Sequence, residues 1–276
     1  MKKILFKILF WTLAVLITLG SAYYQRKTGP TYPKNIEINL DGNRTKFELP
    51  RSGDSNEDRI VEVPYSKHTS VILNYRHFPV NESFTKVNFI QVDNNMVTHL
   101  PKQLPAGKLE YFLSFENIET GKTSETEHVV IRFKGSVPNW ALIPHIIFIF
   151  LAMLLSNLAG LFALGKIEKH VFYGKLTLLL LLLGGMVFGP IVQYYAFGQA
   201  WTGIPFGWDL TDNKTLIAFV FWIVAVLGNR KSPKYRYTII ASIILFLIFI
   251  IPHSLFGSEL DYSSGKVVTG FIQLFF

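Results

Sequence analysis

The chain has 276 residues, half of them hydrophobic, with 24 Phe and a positive mean hydropathy; that apolar load is too high for a soluble domain of this length and indicates a membrane protein. The formal charge of +8 gathers in short segments that flank apolar runs, so it reports orientation in a bilayer and excludes a nucleic-acid-binding reading. Cysteine is absent, which excludes disulfides, thiolate metal ligation and covalent haem attachment through the chain's own thiols.

The opening MKKILFKILFWTLAVLITLGSA combines a basic start, an apolar stretch and small residues at Gly20 and Ala22. Residues 1–23 read as a retained transmembrane anchor over Ile4 to Ala22, closed by the interfacial pair Tyr23-Tyr24; a cleaved signal peptide is the alternative. Residues 24–34 follow as an extended linker rich in proline and glycine.

Residues 35–137 are expected to form an all-β sandwich outside the membrane. Runs rich in β-branched and aromatic residues recur as NIEINL, TKFEL, IVEVP, TSVILNY, TKVNFIQV, KLEYFLSF and HVVIRF, separated by turn signals such as Asp41-Gly42-Asn43, Ser52-Gly53-Asp54 and Pro105-Ala106-Gly107. Seven or so strands at this spacing predict a β-sandwich. Its Lys and Arg nearly balance its Asp and Glu, and His68, His77, His99 and His128 are scattered without ligand spacing, so the domain reads as a binding module without catalytic residues.

Residues 138–276 are expected to form a four-helix membrane domain. Runs long enough for a hydrocarbon core of roughly 30 Å lie at Trp140 to Leu164, Leu176 to Ala196, Thr215 to Gly228 with its flanks, and Tyr237 to Phe256. With the first segment they make five spans. The fourth is the shortest, hemmed in by Asp212 and Lys214 before it and Asn229 to Lys231 after it. The fold class is therefore mixed, a polytopic α-helical bundle of five transmembrane helices with an inserted extracytoplasmic sandwich.

Placing the N-terminus inside puts Lys2, Lys3, Lys7, Lys166, Lys169, Lys175, Arg230, Lys231, Lys234 and Arg236 on the cytoplasmic face of the inner membrane. Residues 24–138 and the C-terminus then lie outside. So does the loop of residues 197–214, which contains WTGIPFGWDLTDNK.

This loop and the histidines near it hold the chemistry. His145 follows Pro144 and His253 follows Pro252, each near the outer end of its span, whereas His170 sits at the cytoplasmic entrance to the third. Polar side chains in hydrocarbon are costly and tend to mark function; the bland alternative is a histidine bonded to lipid, water or a helix end. Within the loop Gly203, Pro205 and Gly207 force an irregular path. Trp201, Phe206 and Trp208 offer flat apolar faces, and Asp209 and Asp212 add carboxylates. Asp212 is also the expected N-cap of the fourth span. An aromatic belt with a helix cap explains much of this without a ligand. Gly184-Gly185, Gly189 and Pro190 in the third span suit close helix packing, and Gln193 is placed to bond a ligand or a neighbouring helix. No Walker or dinucleotide-type glycine loop, HExxH pair or Gly-x-Ser-x-Gly elbow occurs.

Trp201, Trp208-Asp209 and Lys214, flanked by histidines on other helices, resemble the tryptophan-rich WWD loop of the haem-handling membrane proteins of cytochrome c biogenesis. The likeness covers residues 140–276. It implies haem as a cofactor, His145 and His253 as axial ligands to its iron, and Trp201, Trp208 and Asp209 as the haem platform. Three departures stand out: the tryptophans are more widely separated than in the family, Thr215 replaces the acid that follows the lysine, and the spans are fewer. Residues 35–137 separately resemble an immunoglobulin or fibronectin type III module in architecture.

Three functions therefore remain in view. One is an outer-leaflet haem or redox-cofactor protein serving cytochrome biogenesis or electron transfer. Another is a noncatalytic scaffold or assembly factor that binds a protein partner outside. The third is a transporter using Asp209, Asp212, Glu259 and Asp261, which is weakened by the position of those acids at the mouth of the bundle.

Overall fold

The computed structural model of the chain describes residues 2–252 and 257–269. Contacts divide the chain into two compact units, one of Met1–Pro30, Val137–Gly257 and Thr269–Phe276 and the other of Thr31–Ser136 and Ser258–Val268. The first is helical; the second is built of sheets.

In the β unit, β1 (Lys34–Leu40) and β2 (Asn43–Leu49) form a hairpin. Asp41 and Gly42 both have positive φ at its turn, the twist-matched geometry that Asp-Gly favours. Next come β3 (Ser52–Asp54), β4 (Arg59–Pro64), β5 (Thr69–His77), β6 (Thr85–Asn88), β7 (Ile90–Val92), β8 (Asn95–Leu100), β9 (Lys108–Asn117), β10 (Thr123–Glu125) and β11 (Val129–Lys134). The largest sheet runs β3-β11-β9-β5-β6, with β10 also on β9, and a second runs β4-β8-β7. β3 lies parallel to β11, while β5 and β9 pair antiparallel from Thr69 opposite Asn117 to His77 opposite Leu109.

One core joins these sheets: Leu49 of the first hairpin, Val61, Val63 and Leu100 of the small sheet, and Leu73, Tyr111, Leu113, Ile131 and Phe133 of the large one are buried together. Burial alternates along β1 and over Val61 to Val63 of β4, with Ile36, Leu40, Val61 and Val63 turned inward, as a half-solvated strand requires. Tyr111 reaches through the core to donate to Pro50 O at 2.7 Å. The TKVNFIQV run divides at Phe89 into β6 and β7.

The unit is completed from the far end of the chain. β12 (Ser258–Asp261) and β13 (Lys266–Thr269) form a hairpin that belongs with residues 31–136 and extends the module beyond the 35–137 boundary. Leu260 N donates to Ala106 O at 3.1 Å, Arg132 Nη2 to Ser258 O at 2.6 Å, and Lys108 pairs with Glu259. Tyr262 Oη accepts from Lys108 N at 3.0 Å. Burial raises this phenol to about 12, so it stays protonated and can donate to Lys108 O at 2.8 Å.

The helical unit contains α1 (Lys2–Thr28), α2 (Asn139–Leu164), α3 (His170–Leu181), a π-helical segment (Leu182–Phe188), α4 (Gly189–Phe197), α5 (Leu210–Gly228) and α6 (Tyr235–Ile250). Small residues line one side of α2. At Gly160 a Cβ would collide with Ser242 of α6, and Ser242 Oγ donates to Ser156 O at 2.8 Å. Asn157 Nδ2 donates to Thr18 Oγ1 of α1 at 2.9 Å.

Four helices are long and apolar enough to cross a membrane: Ile4–Thr28, Asn139–Leu164, His170–Phe197 and Leu210–Gly228. The count differs from the five expected, and the short member is the fifth span, not the fourth. α5 extends back through Asp212 and Lys214, whereas α6 has 16 residues. It stops because Ile251 precedes Pro252 and takes an extended backbone, φ −67 and ψ 121, as a following proline ring demands. The π segment has a similar cause. Pro190 has no N–H to donate, and its ring would strike the carbonyl one turn back in a continuous α-helix.

Candidate functional site

The loop between α4 and α5 is built on the first turn of α5. Asp209 is the N-cap; its Oδ1 accepts from Thr211 N at 2.8 Å and Asp212 N at 3.3 Å. This corrects the expectation for Asp212. That residue lies within the helix, and its carboxylate reaches back into the loop, accepting from Thr202 N at 2.5 Å, Thr202 Oγ1 at 3.1 Å and Gln193 Nε2 at 3.0 Å. Asn213 Oδ1 accepts from Ile204 N at 2.8 Å, and Asp209 N closes the loop onto Thr202 O at 3.1 Å. Three consecutive segments, α4 through Gln193, the loop through Thr202, and α5, therefore meet at one carboxylate.

Gly203 makes this approach feasible. A Cβ there would lie 2.7 Å from Asp212 Cβ and 2.9 Å from Asn213 Oδ1, so the backbone runs close against α5 only because a side chain is missing.

Charge placement follows the helix dipoles. Asp209 and Asp212, both buried, sit at the N-terminus of α5, where a negative charge is favoured. Lys214 is also buried, and its Nζ donates to Ile251 O at 3.0 Å and Pro252 O at 3.3 Å beyond the C-terminus of α6. Gln25 of α1 adds a donor to Ile251 O at 3.2 Å. The cavity beside Lys214, lined also by Gln25, Thr211 and Thr215, is about 20 Å³, a volume for a water molecule or two and not for a macrocycle.

The expected platform residues have separate roles. Trp201 is half-buried and donates Nε1–H to Ile204 O at 3.1 Å within the loop. Asp209 caps the helix. Trp208 is 59% exposed and Phe206 82% exposed, so these two side chains project from the anchored frame.

His145 lies on α2, and its Nδ1 is 2.8 Å from Gly184 O in the π segment. A carbonyl can only accept, so Nδ1 carries a proton, and in the neutral ring Nε2 keeps its lone pair. His253 lies outside the described residues, and the bis-histidine pair is not assembled within them. No group of three or more His, Cys, Asp or Glu able to hold a metal occurs among the described residues. His170 is wholly buried, with Nδ1 2.8 Å from Thr238 Oγ1.

Sequence reading missed the part played by Thr202 and Asn213 in fixing the loop and by Lys214 in holding the end of α6. The available signal was a charged and amide-bearing triplet, Asp212-Asn213-Lys214, inside an apolar helix; such groups need partners wherever water is scarce. No protein-family model matches this chain, and no curated protein or solved structure matches it.

Proposed function

We propose that the chain is a five-span protein of the cytoplasmic membrane that acts as a noncatalytic scaffold or assembly factor, binding a protein partner through its outer surfaces. The observation that carries this reading is the engagement of Asp209, Asp212, Asn213 and Lys214 in holding the outer loop and its neighbouring helix end, with Phe206 and Trp208 left to project. A fixed apolar prong on a polar frame suits docking, because little conformational entropy is lost when it binds. The β unit serves as the binding module, of immunoglobulin or fibronectin type III character in its length and its antiparallel β5, β9 and β11.

Two observations support five crossings. Residues 258–268 share a unit with residues 31–136, and on this reading both ends of the intervening helical stretch leave the bilayer on one face. That requires an even number of crossings. Three helices between them meet the length criterion, and α6 supplies the fourth at about 24 Å, short enough to need local thinning of the bilayer. The basic residues flanking the helices support an inside N-terminus.

The docking reading is tested by a photo-crosslinking residue at position 206 of the full chain in its native membrane. A discrete protein adduct that weakens in the Gly203→Ala background, where the loop is pushed from α5, is expected. Adducts to lipid alone contradict it.

A second reading, a haem or similar planar ligand at the outer leaflet, is favoured by the fixed tautomer of His145. A ring that donates Nδ1–H to a backbone carbonyl presents Nε2 as the ligating atom. Its test is the visible spectrum of the purified protein after haem addition and removal of unbound haem: a haem band lost in His145→Ala supports it, and a spectrum without a haem band removes it.

A further inference from the structure

A second constellation lies where α3 begins and α5 finishes, away from the outer loop. His170 of α3 and Trp222 of α5 are both 0% exposed. Thr238 Oγ1 of α6 meets His170 Nδ1 at 2.8 Å and accepts from Asn229 Nδ2 at 3.2 Å, while Asn229 Nδ2 also donates to Ala225 O at 2.7 Å. One nitrogen of each ring is left over. His170 Nε2 and Trp222 Nε1 are buried and have no hydrogen-bond partner among the described residues.

Both rings line one small cavity, together with Gly174, Ala225, Asn229 and Thr238. Its volume, about 10 Å³, is the room one water molecule needs. Gly174 helps to shape it: a Cβ there would approach Trp222 Cζ3 to 2.9 Å, so glycine lets the indole lie against α3. Buried polar atoms in folded proteins nearly always have a partner, and a water-sized void against two rings whose buried nitrogens lack one is where ordered water is found.

We propose that this cavity holds one buried water molecule, bonded to His170 Nε2 and Trp222 Nε1, which ties α3 to α5 beside the direct link from α3 to α6. Water fits both states of the histidine. If Nδ1 accepts from Thr238, Nε2–H and the indole N–H both donate to the water oxygen. If Nδ1 donates, the water accepts from the indole and donates to Nε2. A metal cation would find a single imidazole and no carboxylate in the lining, and an anion would lose a donor in one of the two tautomers. The water is thus the chemistry common to every arrangement of the ring.

The test uses the full chain in lipid nanodiscs and does not depend on the outer-loop reading. The ultraviolet resonance Raman difference between the parent and Trp222→Phe isolates the indole of Trp222, and its N–H band is expected at the hydrogen-bonded position. Infrared spectra after exchange into heavy-oxygen water are expected to show an isotope-shifted O–H band that disappears in Trp222→Phe and in His170→Phe. Should either variant fail to fold, the parent answers alone by cryo-electron microscopy at water-resolving resolution, with a peak expected within hydrogen-bond reach of both nitrogens. An indole band at the non-bonded position, or an empty cavity in such a map, overturns the proposal.

Discussion

Lys108 and Glu259 form an ion pair between the first residue of β9 and the hairpin that follows α6, 151 positions away in sequence. Both side chains are largely withdrawn from solvent, and burial pulls the Lys108 ammonium below its usual 10.5. The pairing with Glu259 opposes that shift and keeps the cation tolerable. Around it the Arg132 to Ser258 and Leu260 to Ala106 hydrogen bonds bring the C-terminal hairpin into the β unit.

Removing the anion should therefore release the hairpin. Glu259→Gln leaves a half-desolvated ammonium without its partner, and the loss should fall between that of an exposed and that of a buried pair, about 1–3 kcal/mol. Hydrogen exchange over residues 258–268 is expected to quicken while β5 and β9 stay protected. Unchanged protection of the hairpin would mean that the pair does not hold it.

Acid should loosen the same hairpin at its turn. Asp261 accepts from Ser264 Oγ at 2.6 Å, Ser263 Oγ at 2.7 Å and Ser263 N at 2.9 Å, and these bonds hold its carboxyl at about 2 instead of 3.8. A depressed carboxyl stabilises the fold fully above its unfolded value, and the contribution fades as pH falls through the folded one. Exchange of the 262–265 amides, corrected for intrinsic rate, should rise between pH about 4 and about 2. Asp261→Asn should flatten that dependence.

At the loop between α4 and α5, Asp212→Ala strips the acceptor from Thr202 N, Thr202 Oγ1 and Gln193 Nε2 together. Buried donors left unsatisfied cost about 1–3 kcal/mol each at most, with some recovered by relaxation. Thermal unfolding of the helical unit should shift down, and protease should cut between residues 201 and 208. Gly203→Ala should produce the same cleavage without altering any charge. Resistance of both variants to cleavage would show that the loop is fixed by something else.

Gly184 offers a test of packing at the π segment. A Cβ there would sit 2.8 Å from Phe148 Cβ and 3.0 Å from Ile149 N, and backbone cannot move aside as a side-chain tip can. Gly184→Ala should cost about 1–3 kcal/mol through overpacking, measured as a lower midpoint of thermal unfolding. Gly20→Ala, where nothing lies within 4 Å, is the matched control and should not lower it.

Local features of this fold were legible in the sequence, and long-range ones were not. Apolar length announced α1 and α2, runs of β-branched and aromatic residues announced β1 and β4, and Asp41-Gly42 announced the first hairpin turn. The return of residues 258–268 to the β unit depends on contacts with Ala106, Lys108 and Arg132, which no local pattern encodes. Capping failed for a related reason. Asp209 and Asp212 are three residues apart before the same apolar run, and what separates their roles is the fold of the loop that brings Thr202 to Asp212. The aromatic platform was read from residue types alone, whereas Trp201 has its indole N–H engaged inside the loop and Trp208 projects away from it.

The outer-face reading depends on residues 258–268 lying on the same side of the membrane as residues 31–136. The absence of cysteine makes single-cysteine labelling of the full chain unambiguous. With a membrane-impermeant maleimide, Lys102→Cys and Lys266→Cys should label from one face and Lys231→Cys from the other. Labelling of Lys266→Cys from the face that labels Lys231→Cys would contradict five crossings, and with them the shared β unit and the outer docking loop.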